Sequence, residues 1–574
     1  MPKESKMTSF ASSLNPVPTF PEYTGPYKVG TVDIEIPVSQ LDPDSQSPRP
    51  DGSADVHTIL CRIFYPAVPE SRPKRITWLP NPQRLQVGAY AQFLGVPSTA
   101  ANIISFLPRY LHWTTIPVQK NAALLPPPPS NENSRWPTMI FSHGLGGSRN
   151  AYSHNAGSLA SYGVVVICPE HRDASAALTL VRDPDSQNCF FTKNTRHTVP
   201  YVRIPHDQSP EIWEFRDKQL RIRLWEMNLV FEATLSLERG EEALIKSNLN
   251  RSTPPSALSQ FTGKLDVVEP GRVIFAGHSF GAATTVQLLK SVYYNHKLSS
   301  SPSRLFTPRP NSALSKQITP RTPSILLDMW CFPLLSTASA ELYKLPLPCY
   351  GEGGPGGRGI LAVESDQFFK WGEHLRAKAR ILSSNPASPL SDRDEKSASL
   401  PHFFYVQKSA HLSQSDFAIL FPWLTKKAFG SDAPEQVVRL NTRSQLQFLR
   451  TCGVKVAATL KGDLVDGGHE GRDDDEAVED DEAILEQSSS SKEEAGKIDA
   501  WKWIDIFGLI KDGRGVYLSE AEFVSRQMEG KEKVASDEAE EEEKGMGREM
   551  EPNIGDVVEG VVEDDSQQHG SHEK

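Results

Sequence analysis

The chain has no CxxC pair and no cluster of cysteine with histidine. Its six cysteines, Cys61, Cys168, Cys189, Cys331, Cys349 and Cys452, are widely scattered. Their spacing does not suit a structural zinc site, and free thiols in a reducing compartment are the expectation. No uninterrupted apolar run approaches the roughly 18 residues of a spanning helix, so any membrane contact is expected to be peripheral. The opening residues, MPKESKMTSFASSLNPVPTF, contain no apolar stretch of the kind a secretory signal needs. A cytoplasmic protein is expected.

Positive charge is scarce overall but unevenly so. The chain carries 61 Lys and Arg against 72 Asp and Glu, a net of −11. Residues 461 to 574 hold 13 of the basic and 35 of the acidic residues, so residues 1 to 460 are net +11. The acidic balance belongs to the tail. The mildly basic body suits an anionic lipid surface or a phosphate-bearing substrate, and equally an ordinary solvated surface. No nucleic-acid-binding module is recognisable, and no nucleic-acid partner is expected.

Residues 1 to 25, rich in Ser, Pro and Thr, read as a flexible arm. A body over 26 to 460 follows. In it, PTMIFSHGLGG, GVVVICPEH and GRVIFAGHSFG are apolar strands that run into sharp turns, and SHNAGSLASY and AATTVQLLKSVYY are helices. FRDKQLRIRLWEMNLVFEATLSLERGEEALI reads as one long helix charged on one face. SILLDMW, GILAVES and HFFYVQKS are further short strands. Strands alternating with helices imply an α/β class with a mostly parallel sheet covered by helices. Residues 297 to 323, rich in Ser, Pro and Arg, read as an exposed insertion loop with a position suited to a lid. Residues 461 to 574 read as an acidic, low-complexity, mostly disordered tail. One island in it, WKWIDIFGLI, is expected to form a short docking helix.

Gly277-His278-Ser279-Phe280-Gly281 fits G-x-S-x-G between a strand and a helix. That context is what a nucleophile elbow of the α/β-hydrolase fold requires: the turn lifts the serine hydroxyl clear of the sheet, and small residues let the backbone pass closely. The competing reading is a small residue in a tight turn. A nucleophilic serine needs a base and an orienting acid, which in this fold follow in the order Ser, Asp or Glu, His. Asp328 ends the strand SILLD, and His411 follows the last candidate strand. Glu364 and Asp366 are rival acids. His402 begins its strand, which argues against it as the base. Two backbone amides should hold the oxyanion: Phe280, after the nucleophile, and Leu145, in the loop Ser142-His143-Gly144-Leu145-Gly146-Gly147. His143 reads as a residue that buttresses this loop, the alternative being a second base. Such a site needs neither metal nor organic cofactor.

The segments TGPYKVG, FYPA, FSHGLGG with SLASYGVVVICPEHRDASA, GHSFGAATTVQLL, LLDMWCFPL and AHLSQSDF, spread over residues ~25 to 455, together resemble the platelet-activating factor acetylhydrolase family, the group VII phospholipases A2 of plasma and intracellular type II. The resemblance implies an α/β-hydrolase fold and a calcium-independent serine esterase that removes acetyl, or short and oxidised acyl groups, from the sn-2 position of phospholipids. It places the nucleophile on Ser279, the acid on Asp328, the base on His411 and the oxyanion amides on Leu145 and Phe280. The sequence departs from the family in the 297–323 insertion and the acidic tail, whose composition suggests an intracellular, fungal member. Two other readings stay open: a general short-chain carboxylesterase, and a catalytically dead lipid-binding homologue.

Two charged or apolar stretches have two readings each. Glu170-His171-Arg172-Asp173 reads as a buried ion-pair network, the alternative being contact of His171 or Arg172 with a phosphate head group. ANIISFLPRYLHWTTIPV, residues 101 to 118, reads as an interfacial helix whose Leu111 and Trp113 touch a membrane, or as a helix packed on the sheet.

Overall fold

The computed structural model describes residues 17–42, 49–105, 110–184, 196–206, 208–298, 304–387, 399–429, 434–460, 463–464, 477–487 and 498–510. An antiparallel pair, β1 (Lys28–Pro37) and β2 (Thr58–Ala67), is joined in full register from Lys28 opposite Ala67 to Pro37 opposite Thr58. After the helix α1 (Gln83–Phe93) come β3 (Trp136–Ser142), α2 (Ser153–Ser161) and β4 (Val165–Pro169). The long helix α3 (Pro210–Arg239) leads to β5 (Ile274–His278), α4 (Phe280–Tyr293) and β6 (Ser324–Leu327). The chain then forms β7 (Ile360–Ser365), α5 (Asp366–Lys370), α6 (Gly372–Leu382), β8 (His402–Val406), α7 (Pro434–Thr451) and β9 (Trp501–Trp503). In the sheet the order is β9-β8-β7-β6-β5-β3-β4-β2-β1, with the short strand Gln119–Lys120 beyond β1. From β4 to β8 every neighbour is parallel. This is the mostly parallel, helix-covered sheet that the alternation of strands and helices predicts, and the α/β-hydrolase architecture that the elbow and the family resemblance imply.

The parallel strands are buried almost throughout and mostly apolar, because helices cover both faces. Met139 and Phe141 of β3 join one core, with α2 and α7, while Ile140 between them joins the other, with α3 and α4. The pleat therefore sends successive side chains into two separate hydrophobic layers.

Helix α3 starts with Ser209, whose hydroxyl accepts from Ile212 N–H, and with Pro at the first turn. It ends at Gly240, in the left-handed conformation at φ 67°. The single helix expected over 215–245 is thus two, the second being Glu242–Ser247. Its charged face is not simply solvated either, since Arg216, Asp217, Arg223, Glu226 and Glu238 are all buried.

Three boundaries drawn from composition differ from the structure. The arm is already anchored at Tyr23, whose hydroxyl donates to Ser153 O, and at Gly25, whose N–H donates to Ser161 Oγ. In the insertion, Leu305, Leu314 and Ile318 are buried. Gln317 accepts from Arg272 N–H and Val273 N–H at 2.8 and 3.2 Å and donates to Val267 O and Glu269 O. Residues 304–323 are therefore packed structure. Gln317 pins them at the start of β5, the end remote from Ser279, so they form no lid over it; residues 299–303 lie outside the described residues. Finally, the island at 501–510 belongs to the body. Trp501–Trp503 is a strand, pairing antiparallel with β8 as Phe404 opposite Trp503, and Ile506–Ile510 is the short helix. Ile506 and Ile510 are buried with the main core. The rest of the acidic tail lies largely outside the described residues.

Candidate active site

At the end of β5 the chain turns on Ser279, at φ 55° and ψ −122°. This conformation is strained for a residue with a side chain. It is held by Ser279 N–H donating to Leu327 O at 2.9 Å and Trp330 N–H donating to Ser279 O at 3.2 Å. The flanking glycines answer to close approach. A Cβ on Gly277 would lie 2.4 Å from the Gly281 carbonyl carbon, and one on Gly281 would lie 2.0 Å from Ser142 O. Gly281→Ala is expected to destabilise the protein by roughly 1–3 kcal/mol through this overpacking and to lower activity with it. The urea midpoint checks this; an unchanged midpoint would remove the packing reason for this glycine.

The structure brings Ser279, His411 and Asp328 together. His411 Nε2 lies 2.9 Å from Ser279 Oγ, and His411 Nδ1 lies 3.0 Å from Asp328 Oδ2. A carboxylate only accepts, so Nδ1 carries the proton and Nε2 is left to accept from the serine. Asp328 is fully buried, Ser279 is 6% exposed and the His411 side chain 15%. Asp328 Oδ1 accepts from Ser365 N–H at 2.6 Å, which fixes the carboxylate. Burial pushes the His411 imidazole well below its ordinary range, and the nearby Lys378 ammonium acts in the same direction. The imidazole is therefore neutral, the form a general base needs. Burial also raises Asp328, to about 6, with Lys378 and Ser365 opposing the rise. His278, Asp328 and His411 bring donor atoms within 4.8 Å of one another, close enough for a metal. Both nitrogens of His411 are already committed to Asp328 and Ser279, the pattern of a proton relay.

The rivals fall elsewhere. Glu364 is buried in an ion pair with Lys378. Asp366 sits in the first turn of α5, paired with Lys370 at 2.9 Å. His402 opens β8 and faces Phe448, with ring centroids 6.1 Å apart.

The Gly-rich loop lies against the serine, since a Cβ on Gly144 would sit 2.9 Å from Ser279 Cβ, and Phe280 follows the serine directly. Of the four amides from 144 to 147, Gly144 N–H donates to Tyr152 Oη, Gly146 N–H to Ser175 O and Gly147 N–H to Gly144 O. Leu145 N–H is the one without a partner among the described residues. Phe280 N–H opens helix α4, whose first amides have no partner inside the helix.

Glu170 to Asp173 form a buried network, all at most 4% exposed. Glu170 accepts from Thr179 and pairs with Arg149. His171 bridges Ser142 Oγ and Glu226 at 2.9 Å each. Asp173 accepts from Arg223 Nε at 2.7 Å, and Arg223 Nη1 donates to His143 O at 2.7 Å. No surface is left there for a head group. His143 has both ring nitrogens committed: Nδ1 donates to Gly144 O at 2.8 Å, and Nε2 accepts from His171 N–H at 3.0 Å. The network thus grips the loop from behind.

Several positioning residues escaped sequence reasoning. Tyr152 Oη accepts from Gly144 N–H and donates to His278 Nδ1 at 2.8 Å, tying the Gly-rich loop to the elbow. Asp416, five residues past His411, accepts from Trp78 Nε1, Ser153 N–H, Ser153 Oγ and His154 N–H. It caps α2 from across the fold and fixes the loop that carries His411. Gln367 accepts from His411 N–H at 3.0 Å, and the Phe368 ring stacks on His411 with centroids 4.1 Å apart. The motif AHLSQSDF contained the Asp416 signal, but its partners are hundreds of residues away in sequence.

The stretch 101–118 is not one helix. It forms Ser98–Ile104, Tyr110–Trp113 and a strand at Thr115–Ile116, and Phe106, Leu107 and Arg109 lie outside the described residues. Trp113 is 60% exposed, and Leu111 is half-buried.

Fold and elbow together define an α/β-hydrolase, a carboxylic ester hydrolase. A sequence model of the family described as "Platelet-activating factor acetylhydrolase, isoform II" matches residues 13–469. The chain belongs to this family. It is 28% identical to a Schizosaccharomyces pombe protein named "Putative phospholipase A2", over 75% of this chain and 91% of that protein. It is 24% identical to the platelet-activating factor acetylhydrolase of Gallus gallus, over 71% of this chain and 82% of the relative. Among solved structures, a ferulic acid esterase from Streptomyces cinnamoneus aligns at a TM-score of 0.39 and 15% identity, over 75% of this chain and 91% of that one. That likeness is too distant to bear on function.

Proposed function

We propose that this chain is a serine esterase that removes an sn-2 acetyl or short or oxidised acyl group from phospholipids without calcium. The observation that carries the mechanism is the unbroken chain of contacts from Asp328 through His411 to Ser279 Oγ. As Oγ attacks the ester carbonyl, His411 Nε2 takes its proton, and Asp328 stabilises the imidazolium through Nδ1–H. The Leu145 and Phe280 amides receive the oxyanion, each contributing ~3 kcal/mol. His411 then returns the proton to the departing lysophospholipid oxygen. A water then attacks the acyl-enzyme carbonyl as His411 takes its proton; the bond from the acyl carbon to Ser279 Oγ breaks, His411 returns the proton to Oγ, and the carboxylic acid leaves. The family match, whose relatives are named platelet-activating factor acetylhydrolases, favours a short acyl group over a long one. Comparison of 2-acetyl with progressively longer sn-2 phospholipids tests this: kcat/KM should fall with length, and equal rates for long chains would refute the short-acyl reading.

The reading includes peripheral docking on a membrane through Leu111 and Trp113. Helix α1 links that surface to the site. Gln83 at its start donates to His112 O at 3.0 Å, and Phe93 at its end packs over Gly146 of the Gly-rich loop. Eleven helical residues span roughly 16 Å between these two contacts. Trp423, 61% exposed on the helix Pro422–Phe429, lies on the segment after His411. Leu111→Ala with Trp113→Ala should weaken binding to phospholipid vesicles at least ~10-fold while hydrolysis of a soluble short-chain ester is unchanged. Unaltered vesicle binding would rule this surface out as the docking face.

A further inference from the structure

Beneath the triad lie three buried groups that take no direct part in the proton relay: Glu364 at the end of β7 and Lys378 on α6, both fully buried, and the aromatic face of Phe368 on α5. Sheet register sets the first beside the acid. Leu327 pairs with Val363 across β6 and β7, and Asp328 N–H donates to Val363 O at 2.8 Å. Asp328 and Glu364 are therefore the next residues on adjacent strands. Two carboxylates so placed, both without solvent, repel each other and cannot both be ionised without a cation. Lys378 is that cation. Its ammonium pairs with Glu364 and lies 4.8 Å from the Phe368 ring, the ring that stacks on His411.

We propose that Lys378, held in place by Glu364, is a positioning residue that keeps Asp328 ionised and aimed at His411. The bland alternative is an ion pair that only fills space between β7 and α6. The two differ in what the pair does to titration. The groups near this cluster among the described residues include Glu364 from β7, Lys378 and the buried His374 from α6, the buried Cys331 thiol after β6, Asp366 from α5, and His278 and His411. His374 accepts from Cys331 N–H through Nε2 and is held neutral by burial and by Lys378. Asp366 is answered by Lys370. Burial raises Asp328, to about 6, and Glu364, to about 8, and lowers His411; Lys378 opposes the two rises and adds to the fall. The active form has Asp328 ionised and His411 neutral. With the rise of Asp328 limited and His411 held down, that form persists to a lower pH than it would without the ammonium. Removing the ammonium raises both, so activity is lost at a higher pH on the acid side.

The inference rests on Ser279, His411 and Asp328 as the working triad, and the test separates the two. Lys378→Met, Glu364→Gln and the double variant are compared with the parent on a 2-acetyl phospholipid. Lys378→Met should lower kcat at least ~10-fold with KM within ~3-fold, and raise the acid limb of kcat/KM by roughly 1 pH unit or more. Glu364→Gln should cost less, because the ammonium remains. The double variant leaves no unpaired charge on the pair and should recover the melting temperature lost in Lys378→Met. It should keep the low kcat and the displaced acid limb, because Asp328, fully buried, still lacks the cation that opposes its desolvation. A double variant with the parent's kcat and pH profile would overturn the inference and leave the pair a structural filler. So would a Lys378→Met variant whose acid limb stays in place. Full activity in Ser279→Ala would instead remove the triad itself.

Discussion

Ser279→Ala yields a folded protein whose kcat on a 2-acetyl phospholipid is lower by at least ~10⁴-fold. The size follows from what the hydroxyl does. Without it no acyl-enzyme forms, and only the residual effect of the oxyanion amides and substrate binding remains. The fold should survive, because Ser279 holds the elbow by its backbone. Its N–H donates to Leu327 O, and its carbonyl accepts from Trp330 N–H. Among the described residues, the side chain's one hydrogen bond is to His411. Alanine also meets the same φ of 55°. Circular dichroism and thermal melting check the fold, and a discontinuous lipid assay checks the rate. Loss of activity together with loss of the fold would leave the role of the hydroxyl to the isosteric Ser279→Cys variant, which keeps a nucleophile and should retain a measurable fraction of turnover.

Asp328→Asn has the second largest effect, a fall in kcat of about 10⁴-fold at neutral pH. The amide presents an N–H₂ where the carboxylate accepts from His411 Nδ1–H at 3.0 Å. The imidazole then favours the tautomer with its proton on Nε2, which cannot take the proton of Ser279. The substitution also leaves Ser365 N–H a neutral acceptor in place of the carboxylate oxygen at 2.6 Å. Asp366→Asn changes only a half-exposed pairing with Lys370 and should stay within a few-fold of the parent. If Asp366→Asn lost as much as Asp328→Asn, the assignment of the acid would be wrong.

The sheet and elbow were legible because their signals are local. An apolar run such as VIFAG followed by a serine between glycines reads as strand, turn and helix without reference to anything distant. The order Ser279, Asp328, His411 was legible because the fold fixes the chain order of these roles. Helix α3 shows where such reading stops. Its Arg223 and Glu226 look like a solvated face, yet they are buried against Asp173 and His171, some fifty residues upstream. Only tertiary packing places a charged partner there, and helical periodicity has no record of it. The same holds for residues 304–323. A Ser-, Pro- and Arg-rich composition predicts exposure, but three well-placed apolar residues and Gln317 are enough to seat the segment on the core. The boundary at 460 failed for the related reason that composition averages over a window. Trp501, Ile506 and Ile510 are few among many acidic residues, yet they complete the sheet edge and the core beside it. Glu364 was visible as a rival acid. Its actual partner, Lys378, was not, because an isolated lysine on a helix ordinarily faces water.

At the heart of the mechanism, Ser279 accepts an acyl group from a phospholipid ester. A fluorophosphonate probe applied to the native protein, followed by peptide mass mapping, tests this without any substitution. The expected result is one phosphonyl group, on the peptide that contains Ser279, with activity lost in proportion to labelling and protection by an excess of 2-acetyl phospholipid. Labelling at another residue, or a fully labelled Ser279 with activity intact, would contradict it.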